Sequence, residues 1–187
     1  MNIVQGLKSA GGSGAKAAFA VGGALAVLFM SGAAVAITEN TYNYTNARTG
    51  YVGISNLGMV PNKAAGDYNN SPSDGLGTSI LKCFSRGINL PHGATIKNLI
   101  VFHRGFNQAD VSSVLSRQHI SDDGRDTIGT GTSTTTTGLR VALNVPINPN
   151  FGLVDNARYT YAVNVCLNPG GVFYNARIGY SYTSAGD

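Results

Sequence analysis

The stretch from residue 158 to 182, RYTYAVNVCLNPGGVFYNARIGYSY, decides the fold class of this chain. In its first half, every second residue from Tyr159 to Leu167 is apolar, and the residues between them are polar or small. After the Asn-Pro-Gly-Gly turn the alternation resumes, and one face carries Val172, Tyr174, Ala176, Ile178, Tyr180 and Tyr182. A period of two is typical of half-buried strands. The stretch therefore predicts two antiparallel strands joined in a hairpin.

The rest of the chain shows the same kind of segmentation. Gly, Asn, Pro and Asp interrupt it about every 8 to 12 residues, a spacing typical of sandwiches and barrels. Further strands are predicted around residues 50–55, 79–89, 95–103, 111–120 and 139–145, and loops over 61–78 and 121–138. We expect an all-β protein, an antiparallel β-sandwich of about seven to eight strands with an Ig-like or jelly-roll topology, preceded by a helical signal peptide.

Residues 1–36 have the three parts of a signal peptide. Lys8 and Lys16 stand without an acidic residue, the apolar run AAFAVGGALAVLFM follows, and small residues occupy Ala34 and Ala36. This pattern predicts export with cleavage after Ala36, and an uncleaved membrane anchor is the alternative. Cleavage would leave 151 of the 187 residues, enough for one domain with a real core. We expect a flexible segment over 37–48 and a sandwich domain over 49–187.

Charge argues against a nucleic-acid partner. The leader removes two of the positive charges that make up the formal net charge of +4. The remaining arginines stand singly in the sequence, whereas a surface that tracks phosphates needs clustered cations. We therefore expect no nucleic acid and, after signal cleavage, no membrane contact.

Signals for catalysis are weak, and we predict neither an enzyme nor a cofactor. Glu39 is the only glutamate, so the carboxylate pair of a glycosidase is missing. The segment 53–58, GISNLG, has the wrong spacing for a nucleophile elbow. His92, His103 and His119 lack metal-ligand spacing and are predicted to be turn or surface residues. The acidic group Asp122, Asp123 and Asp126 is better explained as a solvated turn than as a calcium site.

Tyrosines divide into two groups. Those of the C-terminal strands alternate with Val, Ile and Leu and are predicted to pack at the core or its rim. The N-terminal ones are candidates for a flat ligand platform of the kind that binds sugars: Tyr42, Tyr44, Tyr51 and Tyr68. A Thr-rich stretch, 129–138, is interpreted as a solvated loop, with an adhesive or glycosylated loop as the alternative.

Cys83 and Cys166 are the only cysteines, and export would deliver them to an oxidising compartment. We therefore predict a disulfide between them, on the outer face of one sheet because Cys166 is out of phase with the apolar residues of its strand. In the chain-entropy model such a link stabilises the fold by roughly 4 kcal/mol.

One further stretch carries a resemblance. In INLPHGATIKNLIVF, residues 88–102, Pro91 and Gly93 predict a tight turn between two apolar runs. Together with TGYVGISNLGMVP and DNARYTYAVNV, it resembles a group of small exported bacterial proteins of uncharacterised function. The resemblance implies an exported β-sandwich and no catalytic residue. Residues 104–107, RGFN, depart from the polar Asp-Asn segment of that group, so a ligand bound through this loop would differ.

The function predicted from sequence is an exported, non-enzymatic structural or interaction module, secreted, periplasmic or on the cell surface. Its partner would be an unknown protein or a glycan, and a homo-oligomer is left open. The alternative from another class is a carbohydrate-binding module.

Overall fold

A computed structural model describes residues 42–63 and 68–185, with the backbone alone at 42, 107–110, 134–137 and 185. Within these ranges the chain is almost entirely β, with ten strands and two single 3-10 turns, Asn56–Gly58 and Pro149–Phe151. The strands are β1 (Tyr42–Ser55), β2 (Val60–Pro61), β3 (Tyr68–Ser71), β4 (Gly75–Thr78), β5 (Lys82–Ile88), β6 (Thr95–His119), β7 (Arg125–Thr137), β8 (Val141–Val145), β9 (Tyr159–Leu167) and β10 (Gly171–Ala185).

The strands form two antiparallel sheets, which confirms the predicted β-sandwich. Sheet A contains β1, β3, β4, β8, β10 and the first half of β6, and sheet B contains β2, β5, β7, β9 and the second half of β6. In sheet B the order is β2-β5-β9-β6-β7. In sheet A, β10 lies between β6 and both β1 and β4.

The two sheets are continuous through β6, which belongs to both, and together they form one ribbon that folds over at a corner. Strand β6 pairs with β10 and β8 through its first half, and with β9 and β7 through its second half. On each side of β6 the partner changes at a glycine with positive φ, Gly170 at 85° and Gly138 at 67°. The amides of Phe106 and Gly138 bond across this bend, to the carbonyls of Gly170 and Gly105. Glycine therefore occurs at the corner on β6 and in the connections on both sides of it, and at Gly138 and Gly170 the positive φ is one that only a residue without Cβ adopts without strain.

The predicted hairpin over 158–182 is wrong. β9 and β10 do not pair with each other; they follow one another along the same edge of β6, β9 in sheet B and β10 in sheet A. The turn residues between them had indicated a hairpin, but Gly170 lies at the corner of the ribbon and carries the chain from one sheet to the other.

Several predicted boundaries also differ. Segments 95–103 and 111–120 are one strand, β6. The two predicted loops contain strands, β3 and β4 in the first and β7 in the second, so the count rises to ten. Their Gly, Asn and Thr composition favours loops, but pairing with β10 and β6 supplies partners for their backbone groups. Strand β1 begins at Tyr42, so its first residues belong to the predicted flexible segment 37–48. The predicted signal peptide, 1–36, lies outside the described residues.

The core lies between the sheets and draws on both. Its largest fully buried side chains include Phe173, Leu99 and Ile178 from sheet A, and Phe84, Leu115 and Leu167 from sheet B. His103 is also fully buried, which corrects the prediction of a surface residue. It follows Val101 at the strand's period of two, so its ring enters the core with the apolar side chains. Neither ring nitrogen has a hydrogen-bond partner among the described residues, and burial lowers the pKa of this imidazole.

Two of the sequence motifs that carry the family resemblance hold each other in place. We call this contact the turn lock: residues 90–94 against residues 154–158, together with Tyr161. The backbone of Gly93 donates to Val154 O at 2.9 Å, and that of Val154 donates to Ala94 O at 2.8 Å. The Asn156 side chain donates to Leu90 O at 2.9 Å, and its backbone donates to His92 Nδ1 at 3.1 Å. Gly93 has a φ of 73°, as its place in the predicted turn requires.

The lock is closed from below by a tyrosine. The hydroxyl of Tyr161, a residue only 4% exposed, accepts from the Asp155 backbone N–H at 2.7 Å, and burial raises the pKa of this phenol. The Asp155 carboxylate accepts from Arg158, and this hydrogen bond lowers the pKa of the carboxyl group. The hydrogen-bonding groups named here therefore have their partners inside the protein.

The predicted disulfide is confirmed. Cys83 and Cys166 are directly opposite each other on β5 and β9, with their Cα atoms 3.9 Å apart. Both strands belong to sheet B, and the link lies within that sheet rather than through the core, as predicted.

In the described ranges, we find no helix long and apolar enough to span a membrane.

Candidate functional site

A cleft of about 720 Å³ lies on the outer face of sheet A. Ligand sites in proteins usually enclose about 300 to 1,000 Å³, so the cleft is of the right size for a small molecule or a short oligomer. We call it the Arg–Tyr cleft after the side chains that define it: Tyr51, Phe102, Arg140, Tyr174, Asn175 and Arg177. Pro72 and Ser73, in the turn between β3 and β4, line one end.

Strand register places these side chains together. Ser55 of β1 is opposite Asn175 of β10, which is opposite Phe102 of β6. One step along the same face, Gly53 is opposite Arg177. A Cβ at Gly53 would meet nothing within 4 Å, so the strand is bare there and the floor of the cleft is open.

Tyr174 reaches the cleft through a β-bulge. The pairing of β10 with β6 shifts register between Phe173 and Asn175, which leaves Tyr174 as the extra residue. Phe173 is fully buried, whereas Tyr174 is half-buried and lines the cleft. The alternation of the sequence had placed Tyr174 on the core face, and this prediction is wrong because the bulge changes the phase of the strand.

Guanidinium groups stack on the aromatic rings of the cleft. The Arg177 guanidinium carbon lies 4.9 Å from the centre of the Tyr51 ring. The Arg140 guanidinium carbon lies 4.9 Å from the Tyr174 ring and 5.3 Å from the Phe102 ring. Arg140 also donates to Asn175 Oδ1 at 3.3 Å. Such cation–π contacts fix the orientation of a long side chain while its N–H edges stay available.

The cleft is positively charged. Among the described residues, neither Arg140 nor Arg177 forms an ion pair with a carboxylate. The acidic residue next to the lining, Asp74, accepts hydrogen bonds from the hydroxyls of Ser71 and Ser73. A third arginine, Arg104, stacks beside Tyr174 at 5.6 Å, and its buried Nε has no hydrogen-bond partner in the described part of the chain. Arginines that stand singly in the sequence are thus gathered in space.

Of the four tyrosines predicted as a platform, the three with described side chains are not brought together. Tyr51 lines the cleft and is 59% exposed. Tyr44 packs edge-on against Tyr182 at 5.7 Å, and Tyr68 packs edge-on against Phe84 at 5.4 Å, away from the cleft lining. The side chain of Tyr42 lies outside the described residues.

Most of the cleft could not be found from the sequence. Arg140, Asn175 and Arg177 had no motif to single them out, and Tyr174 was assigned to the wrong face. The one signal in the sequence was an aromatic residue, Tyr51, followed two residues later by Gly53.

The remaining predicted candidates have structural roles. Asp122 caps the β6–β7 turn by accepting from the Gly124 backbone at 2.6 Å. Asp126 accepts from Arg117 Nε at 2.8 Å, and this hydrogen bond lowers the pKa of the Asp126 carboxyl group. His119 lies 3.5 Å from Asp122 and 3.6 Å from Asp126. No group of three or more His, Cys, Asp or Glu side chains with the geometry of a metal site occurs in the residues the structure describes.

No family model matches the chain, and no curated protein matches it either. Solved structures with a similar fold include an infectious bursal disease virus structure of the Gx strain, with a TM-score of 0.40 and 10% identity over 75% of this chain and 33% of that chain. A carbohydrate-binding module of the β-sandwich superfamily has a TM-score of 0.39 and 6% identity, over 80% of this chain and 62% of that one.

A second carbohydrate-binding module, solved with β-1,4-galactotriose, has a TM-score of 0.34 and 13% identity over 75% of this chain and 90% of that one. The chain thus spans about a third of the viral relative and 62% of the first module. Likenesses with TM-scores this low carry no conclusion about function.

Proposed function

We propose that this protein is an exported, non-enzymatic binding module that holds a glycan in the Arg–Tyr cleft. The observation that carries the proposal is the combination, in one open cleft, of aromatic rings with hydrogen-bonding side chains. A sugar ring has apolar C–H faces and a rim of hydroxyls. Aromatic rings such as Tyr51 and Tyr174 suit its faces, and polar groups such as those of Asn175 and Arg140 suit its rim.

Rigidity supports this proposal. The cleft is built on β1, β6 and β10 rather than on long loops, and ladder hydrogen bonds hold these strands in register. A site on paired strands loses little conformational entropy when a ligand binds, which favours affinity for a weakly interacting, polar ligand.

The lining also favours binding over turnover. None of the described residues that line the cleft is Asp, Glu, His or Cys. General acid–base catalysis usually depends on these side chains, and the serine hydroxyls of the lining, Ser55 and Ser73, would need one of them as an activating base. A ligand in this cleft would therefore be held rather than cleaved.

Export is part of the proposal. It is supported by the leader-like residues 1–36 of the sequence and by the disulfide, since structural disulfides are typical of proteins that fold outside the cytoplasm. Expression of the full chain in a bacterium, followed by N-terminal sequencing of the protein found outside the cytoplasm, tests this. A first residue of Ile37 supports export with cleavage, and a product retained in the cytoplasm with Met1 intact contradicts it.

A glycan array probed with residues 37–187, purified in the oxidised form, tests the ligand class. We expect saturable binding to a limited set of oligosaccharides, lost in Tyr51→Ala. Tyr68→Ala is the matched control, because Tyr68 is also exposed but lies away from the cleft lining. An array without any binding, or binding that Tyr51→Ala and Tyr68→Ala affect equally, would contradict the proposal and direct attention to protein partners.

A further inference from the structure

We infer that the Arg–Tyr cleft selects acidic glycans, with Arg140 and Arg177 receiving the carboxylate or sulfate groups of the sugar. The inference rests on the proposed function and names the ligand class of the same site. It begins from a charge imbalance, because two guanidinium groups face the cleft and no described residue of its lining is acidic.

Of the six described arginines that lie over aromatic rings, four have no carboxylate partner among the described residues, and two of these four, Arg140 and Arg177, line the cleft. Arg117 and Arg158, two other arginines that stack on aromatic rings, each also bond a carboxylate, Asp126 and Asp155 respectively. Arg140 and Arg177 have the aromatic contact without the carboxylate. Aromatic rings therefore hold the cleft arginines in the same way as other arginines of this protein. Any anion that binds the cleft arginines has to belong to a ligand.

Their geometry suits an oxyanion. A guanidinium stacked on a ring by its flat face keeps its N–H donors in the plane, directed outward as a fork. That fork matches the two oxygens of a carboxylate, or two of those of a sulfate, and such bidentate contacts are stronger than neutral hydrogen bonds. Arg140 has one donor engaged with Asn175, which fixes its plane and leaves the others available.

The spacing fits a chain of sugars better than a single ion. Arg140 contacts Asn175, and Arg177 is two residues further along the same face of β10. Residues two apart in a strand are separated by about 7 Å. Two cations placed over neighbouring positions of one strand face, with Tyr51 and Tyr174 beside them, would contact successive parts of an oligomer. Nucleic acid is less well matched, since tracking a phosphate backbone needs a longer row of cations than this cleft offers.

The test compares ligands that differ only in charge. Isothermal titration of residues 37–187 would use an oligogalacturonate and its methyl-esterified form, and a sulfated oligosaccharide with its desulfated form. We expect the charged member of at least one pair to bind about ten-fold or more tightly than the neutral member. We also expect its affinity to fall with added salt, as screening requires.

Variants assign the charges. Arg177→Gln and Arg140→Gln should each weaken the acidic ligand about ten-fold, and Arg177→Lys should restore only part of the loss, because a lysine lacks the planar fork. Lys97→Gln is the control, since Lys97 is an exposed cation outside the cleft lining. Thermal unfolding of each variant separates lost binding from lost folding.

The outcomes separate this inference from the proposed function. Equal binding of neutral and charged members, lost in Tyr51→Ala, would retain the glycan module and overturn the acidic ligand. If the acidic ligand binds equally well to Arg140→Gln, Arg177→Gln and the unaltered protein, these arginines do not contact its acidic groups, and the inference is overturned. If no glycan binds, both proposals fail; inorganic sulfate and a single-stranded oligonucleotide, titrated in parallel, would then show whether the cleft binds a simple anion or a nucleic acid instead.

Discussion

The turn lock and the Arg–Tyr cleft contain the same kinds of residue, but these residues have different roles in the two regions. Each contains arginine, asparagine and tyrosine. In the lock, Arg158 bonds Asp155, Asn156 bonds the backbone of Leu90, and the Tyr161 hydroxyl accepts from a backbone N–H. In the cleft, Arg177 and Arg140 have no carboxylate among the described residues. Polar groups that satisfy one another stabilise a fold, and polar groups held in place without a partner are available to a ligand.

The largest effect on stability is expected for the disulfide, which lies outside both regions. Replacing both Cys83 and Cys166 with Ala should destabilise the fold by about 4 to 5 kcal/mol, because the unfolded chain regains the entropy of a long closed loop. Since the disulfide lies in sheet B and the cleft in sheet A, ligand affinity at a temperature where the variant stays folded should be unchanged. Chemical denaturation and titration measure the two quantities, and a parallel loss of both would show that the cleft depends on the link.

Within the lock, Tyr161→Phe should cost about 1 to 3 kcal/mol of unfolding free energy, because the Asp155 N–H then lacks its acceptor. Tyr159→Phe, in the same strand, is the matched control and should change stability much less. Neither variant should alter ligand affinity. Equal losses of stability in the two would indicate that the hydroxyl contact contributes little.

Acid should weaken the fold through His103 while the arginines of the cleft keep their charge. Burial lowers the pKa of His103 in the folded protein. The unfolding free energy that neutral His103 contributes is therefore complete at pH values above the unfolded pKa of about 6.5. At lower pH this free energy decreases by up to about 1.4 kcal/mol per pH unit, because the unfolded state binds the proton more readily. His103→Leu should abolish this part of the pH dependence, as urea melts at pH 7.5 and 5.5 would show. Equal pH slopes for both proteins would contradict it.

Gly93→Ala should destabilise the lock by about 1 kcal/mol, since a φ of 73° is unfavourable for alanine although nothing lies within 4 Å of the new Cβ. His92→Ala should cost less, because the exposed imidazole only accepts one hydrogen bond, from Asn156, and water can replace it. A larger loss for His92→Ala in denaturant melts would reverse this ranking.

The smallest effect is expected in the cleft. Arg177→Gln should leave stability within about 0.5 kcal/mol, since an exposed residue outside any ion pair contributes little to folding. The same variant is the one expected to weaken the acidic ligand. A marked loss of stability would place Arg177 with the structural arginines and remove the contrast between the two regions.

Sequence reasoning worked where one local rule acted alone. Two cysteines and a predicted leader were enough to predict the disulfide, and the alternation from Tyr159 to Leu167 was enough to predict β9. Sequence reasoning failed where strand pairing, rather than the local sequence pattern, determined the structure. The bulge at Tyr174 reversed a face, the glycine corners turned an apparent hairpin into a bent ribbon, and Thr-rich β7 owes its strand to the neighbour it pairs with. The cleft combines three strands and a bulge, so no local pattern could have revealed it.

Strand β6 has a consequence for how the molecule folds. It pairs with β10 from Thr95 to Gly105 and with β9 from Val111 to His119, so that Thr95 meets Ser181 far along the chain. Neither sheet can be completed without this strand, and all four of the strands that pair with it are synthesised after it. We therefore expect one cooperative unfolding transition rather than two, and slow folding of the kind seen when distant segments must meet first. During synthesis, neither sheet can be whole until β9 and β10 have followed β6.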